Sequence, residues 1–184
     1  MSTRLLLAVL LAVFASLVRA EPQVSVDVSY YDIRGDRASE LRVQMNRKGP
    51  RGFDAYTAWS VRWRYREDRS GIDCRAADLV TSVEIEITLP RWVDEADADE
   101  ALRQRWQRFY SALLEHEHGH RDFGIRAARE VEAALATVQS QSRCAELKRS
   151  INTTGNGILA PIYAQERAYD RDTNHGINDG AVFP

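Results

Sequence analysis

The chain has 184 residues, 44% of them hydrophobic and 28% charged, with 25 basic against 27 acidic side chains and a formal net charge of −2. That is about one domain's length with enough apolar surface to close a core. The slightly acidic balance argues against nucleic acid as the main partner.

Residues 1–20 read as a secretory leader. Arg4 supplies a basic start, Leu5 to Leu17 is an apolar run broken only by Ser16, and Val18-Arg19-Ala20 fits a signal-peptidase site. The run is too short to span a bilayer, which takes about 20 residues. The expected mature chain is Glu21 to Pro184, secreted or periplasmic, with no stable membrane insertion after cleavage. Losing Arg4 and Arg19 leaves 23 basic against 27 acidic side chains, a net charge of −4. In an oxidising compartment Cys74 and Cys144 are expected to form one disulfide. The alternative, two thiolate zinc ligands, has no support in their spacing.

Beyond the leader the period is that of strands. Val24, Val26, Val28 and Tyr30 alternate with Ser25, Asp27 and Ser29. After the turn signal at Gly35-Asp36, Leu41, Val43 and Met45 alternate again, up to Lys48-Gly49-Pro50-Arg51-Gly52. Thr57, Trp59, Val61, Trp63 and Tyr65 share one face of a long strand, with Arg62, Arg64 and Arg66 on the other. Val83, Ile85, Ile87 and Leu89 alternate with Glu84, Glu86 and Thr88 before Pro90. Four such strands predict an antiparallel-leaning sheet with one wet face, its tryptophans serving as core.

After Pro90 the period becomes helical. Asp97 or Asp99 can cap the start. An apolar stripe then runs through Leu102, Trp106, Phe109, Leu113, Phe123, Ala127, Val131, Leu135 and Val138 in steps of three or four, with one gap. His116 and His120 fill that gap in register. The spacing predicts a helix from about 98 to 140, with Gly119 or Gly124 as points where it can break. Further on, 145–151 reads as a short helix, Thr153 to Gly157 as a loop, and 159–169 as helical despite Pro161. The stretch from Asp170 to Pro184 is polar and rich in Asn, Asp and Gly. The expected class is a single α+β domain: an N-terminal sheet, a long helix, and a short helical or irregular C-terminal segment.

Three of the four histidines lie in His116-Glu117-His118-Gly119-His120. This is H-E-x-x-H. Residues i and i+4 share one helix face, so two neutral imidazoles can take two corners of a zinc tetrahedron. The adjacent glutamate can act as general base on a metal-bound water. His118 lies about 200° round the helix from His116 and cannot share that ion. A catalytic zinc usually has three protein ligands and one open position. His175 is the leading third ligand, with Asp170 as the alternative and Glu130 or Glu132 on the helix as more distant options. If His175 ligates, Asp170 can accept the second N–H of a zinc-bound histidine, and Tyr169 can offer its hydroxyl to a developing oxyanion.

The chain also resembles a bacterial family known as a domain of unknown function and described as predicted secreted zinc-dependent proteases. The resemblance rests on Thr57 to Tyr65, Cys74, Thr88-Leu89-Pro90-Arg91-Trp92, the histidine motif, and Cys144. It rests also on the tail, Tyr169-Asp170-Arg171-Asp172-Thr173-Asn174-His175-Gly176 with Gly180 to Pro184. It implies a zincin-like fold, and it implies that the tail belongs to the site. The combined expectation is a zinc metallopeptidase acting on peptide, protein or cell-wall peptide, with Glu117 as base. The competing expectation is an exported module that holds zinc, or a partner, without catalysis.

Overall fold

The computed structural model describes residues 21–183, so the expected leader over 1–20 lies outside the described residues. The elements run β1 (Gln23–Ile33), α1 (Ala38–Lys48), β2 (Tyr56–Asp68), β3 (Arg75–Trp92), α2 (Glu100–Leu135) and α3 (Cys144–Thr173). Single 3-10 turns lie at Pro50–Gly52, Glu95–Asp97 and Ile177–Asp179. The class is α+β, as the pattern predicted.

The sheet has three strands in the order β1-β3-β2, with β1 parallel and β2 antiparallel to β3. The second expected strand is instead α1. Leu41 and Met45 are 0% and 1% exposed while Val43 is 64% exposed. An L-x-V-x-M run satisfies both a period of two and an i, i+4 pair, and only the second was used. With a helix there, β1 and β3 are separated by enough chain to pair in parallel, which a tight hairpin cannot do.

In register, Val26 pairs with Ile85 and Ile85 with Trp59; Val28 pairs with Ile87 and Ile87 with Thr57. These residues therefore share the face on which α2 packs. That helix crosses β2 and β3, so Val83, Ile85, Ile87 and Leu89 are buried. Val24, Val26, Val28 and Tyr30 on β1 stay 43–49% exposed. Each apolar side chain fully buried under α2 contributes about 1.5–3 kcal/mol.

Asp99 caps α2, its carboxylate accepting from Leu102 N at 2.8 Å. The helix continues unbroken through Gly119 and Gly124, whose role is close approach. A methyl on Gly124 would stand 2.9 Å from Cβ and Cγ of Trp59, and one on Gly119 would strike the Tyr169 ring. Gly124→Ala is therefore expected to lower the melting temperature. Overpacking costs about 1–3 kcal/mol, against about 1 kcal/mol gained in helix propensity. A thermal scan showing a stabilised variant would contradict the close packing of α2 on β2.

The loop expected at Thr153 to Gly157 is helical. Leu147, Ile151, Leu159 and Ile162 form one stripe packed against Ala127, Val131 and Leu135 of α2, and that burial overrides local loop composition. Gly155 within the stripe makes room for Trp63. Cys74 and Cys144 form the expected disulfide, joining the start of β3 to the first residue of α3. Closing a loop of 70 residues restricts the unfolded chain by about 4 kcal/mol in the chain-entropy picture. The tail turns back after α3: Phe183 packs on Trp106 and Phe109 at centroid distances of 5.5 and 5.2 Å, and Arg42 Nη2 donates to its carbonyl at 2.8 Å. Among the described residues no helix is long and apolar enough to cross a membrane.

Candidate metal centre

The α2 face carrying the motif looks inward. His116, Glu117 and His120 are 4%, 3% and 7% exposed, a burial that imidazoles and a carboxylate tolerate only with partners. Opposite them lies the last third of α3. That helix runs four residues past the expected end at Tyr169, so Asp170 sits in its final turn, one turn beyond Glu166. Two pairs at i, i+4, His116/His120 and Glu166/Asp170, thus face each other across the α2–α3 contact.

The ligand-type atoms converge. His116 Nε2 and His120 Nε2 are 3.3 Å apart. Asp170 Oδ1 stands 2.9 Å from His120 Nε2 and 3.3 Å from His116 Nε2. These separations are close to the roughly 3.3 Å expected between ligand atoms about 2.0–2.2 Å from one tetrahedral zinc. Two imidazoles and one carboxylate are also a donor set that suits zinc. His116, His120 and Asp170 form one mutually close cluster.

His175 stands just outside that cluster. Its Nδ1 is 3.5 Å from Asp170 Oδ1, its side chain is 48% exposed, and its ring tilts against Phe53 at 4.8 Å. It follows the α3 cap in the left-handed conformation, φ 53° after Asn174 at φ 49°, which for a non-glycine residue costs about 1–2 kcal/mol. The more distant options are not brought to the site: Glu130 pairs with Arg126 at 3.7 Å, and neither Glu130 nor Glu132 joins the cluster. His118 is outside it too.

Tyr169 packs as a wedge. Its ring stacks on His116 at 4.9 Å and 15°, and its hydroxyl donates to the His116 carbonyl at 3.3 Å. It does not line the cleft that holds Glu117. That cleft, about 500 Å³, is walled by Phe53, Tyr56, Thr57, Arg167 and His175 among others.

Two partners were not anticipated. Thr57 Oγ1 donates to Glu117 Oε2 at 2.6 Å. Glu166 Oε1 accepts from Trp59 Nε1 at 2.6 Å and faces His120 Nδ1 at 3.1 Å. Thr57 was detectable as the one polar residue on the apolar face of its strand. Glu166 becomes visible only once the helix is known to continue to Asp170.

The electrostatics follow burial. Desolvation pushes the Glu117 carboxyl above its usual range, with the Thr57 hydrogen bond opposing. Desolvation, then His120, push His116 below its ordinary value. At His120 desolvation also disfavours charge, but the Glu166 hydrogen bond and the carboxylates of Asp170 and Glu117 outweigh it, leaving the imidazole raised.

No curated protein and no solved structure is significantly similar to the chain. The family model described as a bacterial protein of unknown function, DUF922, matches residues 28–176, a span that contains His116, Glu117, His120, Glu166, Asp170 and His175. The chain therefore belongs to the bacterial family DUF922.

Proposed function

We propose that this chain is an exported zinc-dependent hydrolase that cleaves amide bonds in peptide or protein substrates. His116, His120 and Asp170 would hold the metal, and Glu117 would act as general base. The observation that carries the reading is the convergence of those three ligand atoms within 3.3 Å of one another, one residue from a buried carboxylate at the foot of an open cleft. Export is supported by the disulfide and by the leader pattern of the sequence.

Zinc, when bound, supplies a Lewis acid and lowers the pKa of a coordinated water. Glu117 takes a proton from the attacking water and returns it to the leaving amine. The Thr57 hydroxyl holds Oε2 and so leaves Oε1 to face the water. The cleft wall of Phe53, Tyr56 and His175 provides the surface against which a substrate chain lies.

A second reading has its own observation. His175 Nδ1 stands 3.5 Å from Asp170 Oδ1, and if that imidazole turned inward to become a fourth ligand the site would be closed and structural, as in a non-catalytic zinc-binding module. Elemental analysis of protein purified without chelator, joined to a hydrolysis panel of casein, short peptides and cell-wall fragments, separates the readings. The expected result is one zinc per chain and a chelator-sensitive hydrolysis restored by zinc. Bound zinc without hydrolysis favours the closed site, and absence of zinc removes both.

A further inference from the structure

We propose that Arg167 is the specificity-determining residue of the cleft, and that it binds a carboxylate carried by the substrate close to the bond that is cut. The word substrate rests on the hydrolase reading above, but capture of a carboxylate can be measured without turnover. Arg167 lines the cleft together with Glu117, His120 and Asp170. It stands three residues before Asp170 on α3, a rise of about 4.5 Å. That is little more than the roughly 3.8 Å between successive Cα atoms of a peptide. A carboxylate in its grasp therefore belongs to a residue within one or two positions of the bond that lies over the cluster.

The charges of the cleft leave this cation over. Carboxylates line it from Asp54, Glu117, Glu166 and Asp170, and each is engaged within the chain. Arg42 Nη1 donates to both oxygens of Asp54 at 2.7 and 2.9 Å, and its Nη2 is taken by the Phe183 carbonyl. Glu117 accepts from Thr57 and Glu166 from Trp59, while Asp170 faces the two imidazoles. The Arg167 side chain is exposed and, among the described residues, has neither a hydrogen-bond partner nor an acid beside it. Only its carbonyl is used, by Arg171 Nη1 at 2.9 Å. Arg51, also without an acidic partner, lies 4.5 Å over the ring of Tyr56, which lines the same cleft. A second fixed positive charge thus stands beside the cleft. A guanidinium is charged at any working pH, and its planar fork matches a carboxylate with two parallel hydrogen bonds. The carboxylate can be the C-terminus of a peptide or an acidic side chain within it.

The test uses the mature chain carrying Glu117→Gln, to hold peptides without cutting them. Its ligands are N-acetylated alanine tetrapeptides: one with a free C-terminus, one amidated, and two amidated with a single glutamate, second or third in order. By calorimetric titration a carboxylate-bearing peptide is expected to bind about tenfold or more tightly than the neutral amide, the gain of a charge-assisted paired contact. Which peptide does so names the source of the carboxylate. The Nε–H signal of Arg167 in a 1H–15N spectrum is expected to move with that peptide and not with the neutral one. Arg167→Ala should abolish the preference while leaving the neutral peptide's affinity and the melting temperature unchanged. Arg167→Lys should keep part of it, because a point charge remains without the fork. Equal binding of all the peptides, binding of none, or a preference that survives Arg167→Ala overturns the proposal. A preference that depends on Arg167, in a protein whose wild type hydrolyses nothing, upholds the carboxylate site and removes the hydrolase reading. Hydrolysis of neutral and acidic peptides at equal rates does the reverse.

Discussion

Glu117→Gln is expected to leave the zinc content unchanged and to reduce hydrolysis by about 10²–10⁴-fold, the contribution of a well-placed general base. The substitution is close to isosteric, and the amide oxygen of glutamine can still accept the Thr57 hydrogen bond that Oε2 accepts at 2.6 Å. The side chain is buried, and burial already disfavours its charged form in the metal-free protein. A neutral replacement should therefore fold at least as well. What glutamine cannot do is take a proton. Loss of turnover with zinc, near-UV spectrum and melting temperature preserved would place the defect in chemistry and not in architecture. Turnover retained in this variant would remove Glu117 from the mechanism and leave the H-E-x-x-H spacing as a metal-binding device alone. Alanine would be the poorer choice, because it leaves the Thr57 hydroxyl facing a void and mixes a packing cost with the catalytic one.

How much of this is legible in the sequence depends on which interactions are local. The inward face of α2 followed from the stripe at steps of three and four, because helix amphipathicity is written within a few turns. The two histidines in register with that stripe are buried as expected. The α1 segment misled because three apolar residues at alternate positions carry both periods. Only the burial of Leu41 and Met45 against the rest of the core decides between them, and that is a tertiary fact. Thr153 to Gly157 misled for the same reason: its residues prefer turns in isolation, but Ile151 and Leu159 on either side bury against α2. The difference that matters most for the site lies at the end of α3, which runs to Thr173. With the helix stopped at Tyr169, Asp170 belonged to an irregular tail and His175 was the natural third ligand. Four more helical residues put Asp170 one turn past Glu166 and bring its carboxylate within 3.3 Å of both imidazoles. Thr57 and Glu166 act across 60 and 46 residues of sequence respectively, and no local pattern encodes such contacts.

Asp170 and His175 can now be told apart by what their loss does to the metal. Asp170→Ala is expected to weaken zinc binding by more than about 100-fold, beyond the range typical for losing an outer partner of a ligand, whereas His175→Ala should stay within about 10-fold of wild type. The ordering follows from placement. Asp170 Oδ1 lies within 3.3 Å of both imidazole nitrogens and rides on the last turn of a helix whose packing on α2 is set by the Leu147-to-Ile162 stripe, so it arrives pre-positioned and loses little entropy on binding. His175 lies past the helix cap, in a left-handed conformation and half exposed, and must move to reach the same point. Removing Asp170 also removes the one negative charge in the set, which leaves two neutral imidazoles to hold a dication, while removing His175 leaves the charge balance intact. Asp170→Asn should fall between the two, since its amide oxygen keeps the position but not the charge. Zinc dissociation constants for the three variants, measured by chelator competition at one pH, check this order. The reverse order would mean that His175 swings in to ligate and Asp170 serves as its outer hydrogen-bond partner. The site would then be the three-histidine arrangement expected from the sequence, with His175 of the polar tail as the third ligand.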